Sequence, residues 1–149
     1  MLGWLKQITT REPRNVVLVY VDGCDLHDVA EPLEKSFREF VDSREWKAQQ
    51  VTFVNNRQTR NPQDAPEDLP GWDLGLNFTI PTRNERDETW FEDLQATVDF
   101  VSALNAELDR DFVIAVHDRS RGYNEDVAFI ESTPPDLAEI KYLIDCHRA

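Results

Sequence analysis

Residues 72–80 carry the pattern that most constrains the fold of this chain. Five apolar residues alternate there with four small or polar residues. The apolar set is Trp72, Leu74, Leu76, Phe78 and Ile80, and the intervening set is Asp73, Gly75, Asn77 and Thr79. Successive side chains of a β-strand point to opposite faces, so a period of two predicts a strand with one buried and one solvated face.

Other patterns predict the remaining strands and helices. The continuous apolar run from Val16 to Val21 predicts a buried central strand. Further strands are predicted at residues 46–54 and, as a hairpin, at residues 112–116 and 127–130. Apolar residues at helical spacing predict two amphipathic helices. The first begins near Glu31, because a proline such as Pro32 is tolerated only in a first turn.

The second helix follows a predicted capping box of Thr89 and Glu92. Residues 133–144 predict a last helix. The alternation of Ile140, Tyr142 and Ile144 also allows a final strand, and the sequence leaves both possibilities open.

The order of these elements predicts an α+β fold. A β-α-β-β-α-β order with right-handed crossovers is satisfied most simply by a ferredoxin-like split βαβ sandwich with a mostly antiparallel sheet. An extra C-terminal strand and helix would follow. The 149 residues are expected to form one domain, 1–149. Because Val16 to Val21 is apolar on both faces, its outer side should be covered by the last helix, by residues 1–8 or by a second subunit.

The charge of the chain restricts the kinds of partner that it can bind. Sixteen basic and 29 acidic residues give a formal net charge of −13. Such a surface repels nucleic-acid phosphates and anionic membranes, so neither is expected as a partner. It attracts basic proteins and raises their encounter rate.

The cysteines and glycines of the chain bear on its cellular compartment and on possible cofactors. Cys24 and Cys146 are the only cysteines, too few for a disulfide framework, and they are expected to be free thiols. No signal-peptide pattern and no apolar stretch of about 20 residues occurs, which predicts a cytoplasmic protein. The five glycines form no phosphate-binding loop, so no cofactor is predicted.

The predicted topology collects arginines at one end of the sheet. Arg83, Arg86, Arg119 and Arg121 are the candidates there for binding a phosphate or carboxylate, together with the N-terminus of the second helix. Acidic residues lie in the same loops, so internal ion pairing is the alternative interpretation.

The opposite end collects acidic residues after the first strand. Asp22, Asp25 and His27 are candidate metal ligands, since carboxylate and imidazole groups together suit a hydrolytic metal. The alternative is structural: a turn at Asp22 followed by an Asp helix cap.

The second helix has an acidic stripe with no basic residue. Glu88, Glu92 and Asp99 share one exposed face, with alanines among them. This acidic stripe is a candidate surface for a basic partner, and a solvated helix face is the alternative.

Three functions follow from these features. The favoured hypothesis is a non-catalytic acidic module that binds a basic protein, as an inhibitor or an immunity protein does. The first alternative is a small enzyme or ligand-binding domain that uses the arginine end for an anion or the Asp/His end for a metal. The second is an oligomeric structural subunit, such as a homodimer. No catalytic residue is predicted, because no nucleophile stands in a fixed relation to His117.

Overall fold

The computed structural model describes residues 14–59, 62–63, 69 and 71–149. The strands in this part of the chain are β1 (Val16–Val21), β2 (Val51–Arg57), β3 (Trp72–Thr79), β4 (Phe112–Asp118) and β5 (Tyr123–Ile130). The α-helices are α1 (Ala30–Ser43), α2 (Trp90–Leu108) and α3 (Leu137–Asp145), and a 3₁₀ turn, Arg83–Glu85, precedes α2. The α+β class is confirmed, and the last segment is a helix. None of these helices is both long enough and apolar enough to cross a lipid bilayer.

The five strands form one antiparallel sheet with the order β2-β3-β1-β4-β5. Val16 of β1 lies opposite Thr79 of β3 on one side and opposite His117 of β4 on the other. The predicted antiparallel sheet is confirmed. Its full strand order differs from that of a four-stranded ferredoxin-like sandwich, because the chain turns back after β4 and adds β5 at the edge.

All three helices pack on one face of the sheet. Alternate residues of β1, β3 and β4 form the floor of the core, and each helix contributes apolar side chains to it. The floor consists of Val17, Val19, Val21, Leu74, Leu76, Phe78, Phe112, Ile114 and Val116. The helices add Leu33, Phe37, Trp90, Leu94, Val98, Val101, Leu104, Ile140 and Ile144. The largest fully buried side chain is that of Trp90.

The opposite face of the sheet, here called the open face, is more buried than the alternation in residues 72–80 predicts. Gly75 and Thr79 of β3 are buried, although Asp73 is exposed. Tyr20 of β1 explains part of this, because its ring lies against Gly75 and its hydroxyl donates to Asn77 Oδ1 at 2.7 Å. Burial raises the pKa of the Tyr20 hydroxyl.

The suggestion that the last helix covers the outer side of β1 is wrong. Helix α3 contributes Ile140 and Ile144 to the core on the other face, and Lys141 lies over the ring of Phe91 in α2. The strand β5 widens the sheet, so α3 can extend the helix layer rather than cross to the open face. The suggestion concerning residues 1–8 lies outside the described residues.

Two local predictions also need correction. The strand predicted from residue 46 begins at Val51, because Trp46 instead donates its indole N–H to the Val41 carbonyl at 2.9 Å and packs beside α1. The capping box predicted at Thr89 does not form, since its hydroxyl donates to Asp87 Oδ1 at 2.5 Å. A capping box is instead present at Thr82 and Glu85, where it begins the 3₁₀ turn.

Candidate functional site

Helix α2 lies in the middle of the helix layer. On one side, Phe100 stacks on Phe40 of α1 with ring centroids 4.1 Å apart. On the other side, the Lys141 ammonium of α3 lies 3.5 Å from the centre of the Phe91 ring. These contacts hold α2 between its neighbours and leave one stripe of the helix facing outward.

The outward stripe carries the predicted acidic residues. Glu88, just before α2, and Glu92 and Asp99 within it are all exposed, and so are Ala103 and Ala106. Glu92 and Asp99 are two helical turns apart and therefore point the same way. Within the described residues, none of the three carboxylates forms a hydrogen bond or an ion pair.

Asp93, the residue after Glu92, is buried and paired rather than exposed and unpaired. This role was missed in the sequence-based predictions. Its side chain is fully buried and accepts a hydrogen bond from Arg44 Nη2 at 2.9 Å. It also accepts from the backbone amides of Lys47, at 3.1 Å, and Ala48, at 2.7 Å. The carboxylate thus fastens residues 44–48 to α2. Its signal in the sequence was an acidic residue beside Leu94 on the apolar face of the helix.

Two of the four arginines predicted to bind an anion are held by contacts with other residues of the chain. Arg83 Nη2 donates to the carbonyls of Asp145 and Cys146, at 3.1 and 3.3 Å, and so caps the C-terminus of α3. Arg121 lies 3.8 Å from the carboxylate of Asp118, to which Ser120 also donates. The Ser120 hydrogen bond lowers the pKa of Asp118.

The remaining two arginines are not held in this way. Arg86 is exposed and has a left-handed backbone conformation, with a φ of 46°. Arg119 lines a depression on the open face. Arg14, two residues before β1, pairs with Glu85. Burial raises the pKa of Glu85, but hydrogen bonds from Thr82 and Arg14 outweigh it and leave that pKa lowered. The alternative of internal ion pairing therefore describes Arg14 and Arg121, whereas Arg83 is held by backbone carbonyls.

The candidate metal ligands do not converge. Arg110 donates to both carboxylate oxygens of Asp28, at 2.6 and 2.8 Å, and to the Asp25 carbonyl at 2.9 Å. His27 Nε2 lies 3.1 Å from the Arg57 guanidinium and therefore accepts from it. Among the residues that the structure describes, no group of three His, Cys, Asp or Glu side chains is placed to hold a metal ion. In the described part of the chain, Asp22, Asp25 and His27 thus form no three-ligand group, and His27 is engaged by Arg57.

The sequence analysis did not predict the depression on the open face. It has a volume of about 280 Å³. His117 lies in it, and its Nδ1 is 2.5 Å from Asn124 Oδ1, an acceptor, so Nδ1 donates this hydrogen bond. The lining residues come from four strands and their ends, and only the strand register brings them together. They are Val16, Leu18, Gln50, Thr52, Asn77, Phe78, Thr79, His117 and Arg119.

The chain matches no family model, and it has no significant match among curated proteins or solved structures.

Proposed function

We propose that this protein is a non-catalytic module that binds a basic protein through the acidic stripe of Glu88, Glu92 and Asp99, as an inhibitor or an immunity protein does. The observation that carries the proposal is the distribution of charge. Eight arginine side chains contact other residues of the chain, whereas the three carboxylates of the stripe face outward and are unpaired within the described residues. The contacting arginines are Arg14, Arg38, Arg44, Arg57, Arg83, Arg110, Arg121 and Arg148.

This distribution affects both the rate and the strength of binding. Cations held in internal pairs cancel part of the nearby negative charge, but the stripe has no such partner and adds to the field of a chain with net charge −13. Such a field steers a basic protein toward the stripe and speeds association at low salt. Because exposed charges are screened within about 8 Å at physiological ionic strength, the interaction should weaken as salt is added.

The shape of the stripe suits close contact. Ala103 and Ala106 continue it beyond Asp99, and they place no long side chain between α2 and a partner. The rings of Phe91 and Phe100 hold the helix from both sides. The surface is therefore ordered before a partner binds, which lowers the entropic cost of association.

We further infer that β1 to β4 with α1 and α2 form the split βαβ unit. Two features support this. Strand β3 lies between β1 and β2, which α1 connects, and β1 lies between β3 and β4, which α2 connects. The hairpin partner β5 and helix α3 would then be additions at the β4 edge. This fold hosts many unrelated functions, so the functional proposal does not depend on it.

A pull-down followed by a charge-reversal comparison tests the function. The wild-type protein would be used to isolate partners from lysate of its source organism at low salt, and the retained protein would then be purified. Binding would be measured by calorimetry for wild type and for the double variant Glu92→Lys/Asp99→Lys. The matched control is Asp25→Lys/Asp73→Lys, which reverses two exposed carboxylates away from α2. Both variants change the net charge by +4, from −13 to −9.

We expect the stripe variant to weaken binding at least about tenfold, which corresponds to about 1.4 kcal/mol, and the control to change it less than about twofold. Equal weakening by both variants would mean that net charge alone attracts the partner. If neither variant changed the affinity, the stripe would not be the binding surface.

A second candidate function has one observation in its favour. The Arg119 side chain forms no hydrogen bond, ion pair or ring contact with another described residue, and it lines the depression on the open face beside His117, Gln50 and Asn77. A free guanidinium with neutral polar neighbours suits a small anion. Phosphate, nucleotides or dicarboxylates should then raise the melting temperature of the wild type but not of Arg119→Ala. No shift in the wild type would exclude this function for the anions tested.

A further inference from the structure

Strand β5 forms one edge of the sheet and pairs only with β4 among the described strands. An edge strand presents backbone N–H and C=O groups that can pair with another chain. The first half of β5 is guarded by Glu125 and Asp126, and an irregularity in the register with β4 falls at Val127, between the Asp126–Ala115 and Ala128–Ile114 pairs. Its second half, residues 127–130, carries no charge, and Phe129 is 49% exposed.

A groove runs along this second half, between β5 and α3, and has a volume of about 380 Å³. Its apolar walls come from both elements, and three carboxylates lie among them. The lining residues are Val127, Ala128, Phe129, Glu131, Thr133, Pro134, Pro135, Asp136, Glu139, Ile140 and Leu143. No lysine or arginine of the described chain is among these residues. The positive end of the α3 dipole, worth about half a charge, offsets only part of the acidic charge.

The opposite edge of the sheet, at β2, differs from the β5 edge in how its aromatic side chains are covered. At β2, the Arg38 guanidinium lies 4.5 Å from the centre of the Phe53 ring, and Arg57 lies 4.8 Å from the centre of the Trp72 ring. Cations of the chain itself therefore cover the aromatic side chains at that edge. At the β5 edge, no cation lies over Phe129 within the described residues, and the charged side chains of the adjoining groove are all acidic.

We infer that an extended segment of a basic partner adds to the sheet as a sixth strand beside residues 127–130. Its backbone pairs with β5, its apolar side chains contact Phe129 and enter the groove, and its lysines or arginines meet Glu131, Asp136 and Glu139. Addition of a strand to a sheet edge is a general mode of peptide recognition, in which pockets beside the edge give specificity. The inference rests on the proposed function for the charge of the partner, but it uses different residues.

A second copy of this chain fits the edge poorly. Pairing two β5 strands would bring the Asp126 and Glu131 carboxylates of both copies to one seam, between two molecules that each carry a net charge of −13. Like charges opposed in this way are destabilising. A basic segment therefore fits the β5 edge better than a second copy does, and the test includes self-association as one outcome.

The test uses the full chain and a synthetic, end-capped peptide in which lysine and valine alternate, with a glutamate–valine peptide as control. Affinity would be measured by calorimetry, and the site would be located by amide hydrogen exchange of β5. The groove variant is Glu131→Lys/Glu139→Lys, which spares Asp136 because that side chain caps α3. The matched control is Asp25→Lys/Asp73→Lys, which reverses two exposed carboxylates that do not line the groove and makes the same change in net charge.

We expect the lysine–valine peptide to slow exchange of alternate amides in residues 127–130 and the glutamate–valine peptide not to do so. The groove variant should weaken lysine–valine binding at least about tenfold and the control variant Asp25→Lys/Asp73→Lys less than about twofold. Absence of binding, unchanged β5 exchange at saturation, or equal weakening by both variants would overturn the inference. A concentration-dependent dimer that protects β5 without peptide would also overturn it, in favour of a second copy. If the natural partner depends on the stripe while β5 exchange stays unchanged, this inference fails and the proposed function stands.

Discussion

Replacing Asp93 by alanine should be among the most damaging single changes outside the apolar core. The variant removes the ion partner of Arg44 and leaves the amide N–H groups of Lys47 and Ala48 without their acceptor. Removing one member of a buried ion pair costs about 3–5 kcal/mol. Each unpaired buried donor adds about 1–3 kcal/mol when the structure does not relax. The Arg44 side chain is 24% exposed, so water offsets part of this cost.

The net expectation is a loss of about 4 kcal/mol from the free energy of unfolding, a large share of the 5–15 kcal/mol that is typical of domains. Urea denaturation followed by tryptophan fluorescence measures it. With a slope of about 2 kcal/mol per molar urea, the midpoint should fall by about 2 M. Asp93→Asn keeps an acceptor of the same shape and should lose about half as much.

The neighbouring Glu92 supplies the matched control. Its exposed carboxylate has no partner in the described chain, so Glu92→Ala should change stability by less than about 0.5 kcal/mol. A double-mutant cycle with Arg44→Ala should give a coupling energy of about 1–3 kcal/mol. A loss below about 1 kcal/mol for Asp93→Ala, or equal losses at Glu92 and Asp93, would refute the reasoning.

Three further predictions concern the sheet, the helix layer and pH. Gly75→Ala would place a Cβ atom 2.0 Å from the Val19 carbonyl oxygen, so denaturation should show a loss of about 3 kcal/mol or more; a smaller loss would mean that the central strands separate easily. Arg83→Ala removes the cap of α3 and should cost about 1 kcal/mol, with faster amide exchange confined to the end of that helix; unchanged exchange would contradict the capping role. The hydrogen bond from Arg110 lowers the pKa of Asp28, so an NMR titration should place its midpoint below the usual range, and Arg110→Ala should restore the usual value. Because the folded-state pKa lies below the unfolded one, the stabilisation from this pair is complete above the unfolded pKa and is lost as the pH falls through the folded pKa. A midpoint that does not move in Arg110→Ala would show that the pair is absent in solution.

Features with a local period were predictable. The alternation in residues 72–80 predicted β3 and its buried residues Leu74, Leu76 and Phe78, because the faces of a strand follow from its own geometry. The same reasoning applies to the helices, where a helical period separated the buried side of α2 from the exposed Glu92 and Asp99.

Boundaries and caps were less accessible, because competing local contacts decided them. Trp46 belongs to a loop since its ring packs edge-on against Phe40, and nothing in the neighbouring sequence indicated that contact. Thr89 had two carboxylates within reach, Asp87 before it and Glu92 after it, and the geometry of the preceding loop selected Asp87.

The sequence by itself determined which side chains are buried within each element, the class of the fold and the acidic character of the surface. Only the tertiary structure decided which charges find partners. The Arg44–Asp93 contact spans 49 positions in sequence, Arg83–Asp145 spans 62, and Arg110–Asp28 spans 82. A local pattern records whether a side chain faces the core or the solvent, but it holds no information on which distant residue lies opposite. That pairing depends on how the strands and helices pack in three dimensions. The packing places Arg83 at the end of α3 and His27 against Arg57, and it forms the groove between β5 and α3.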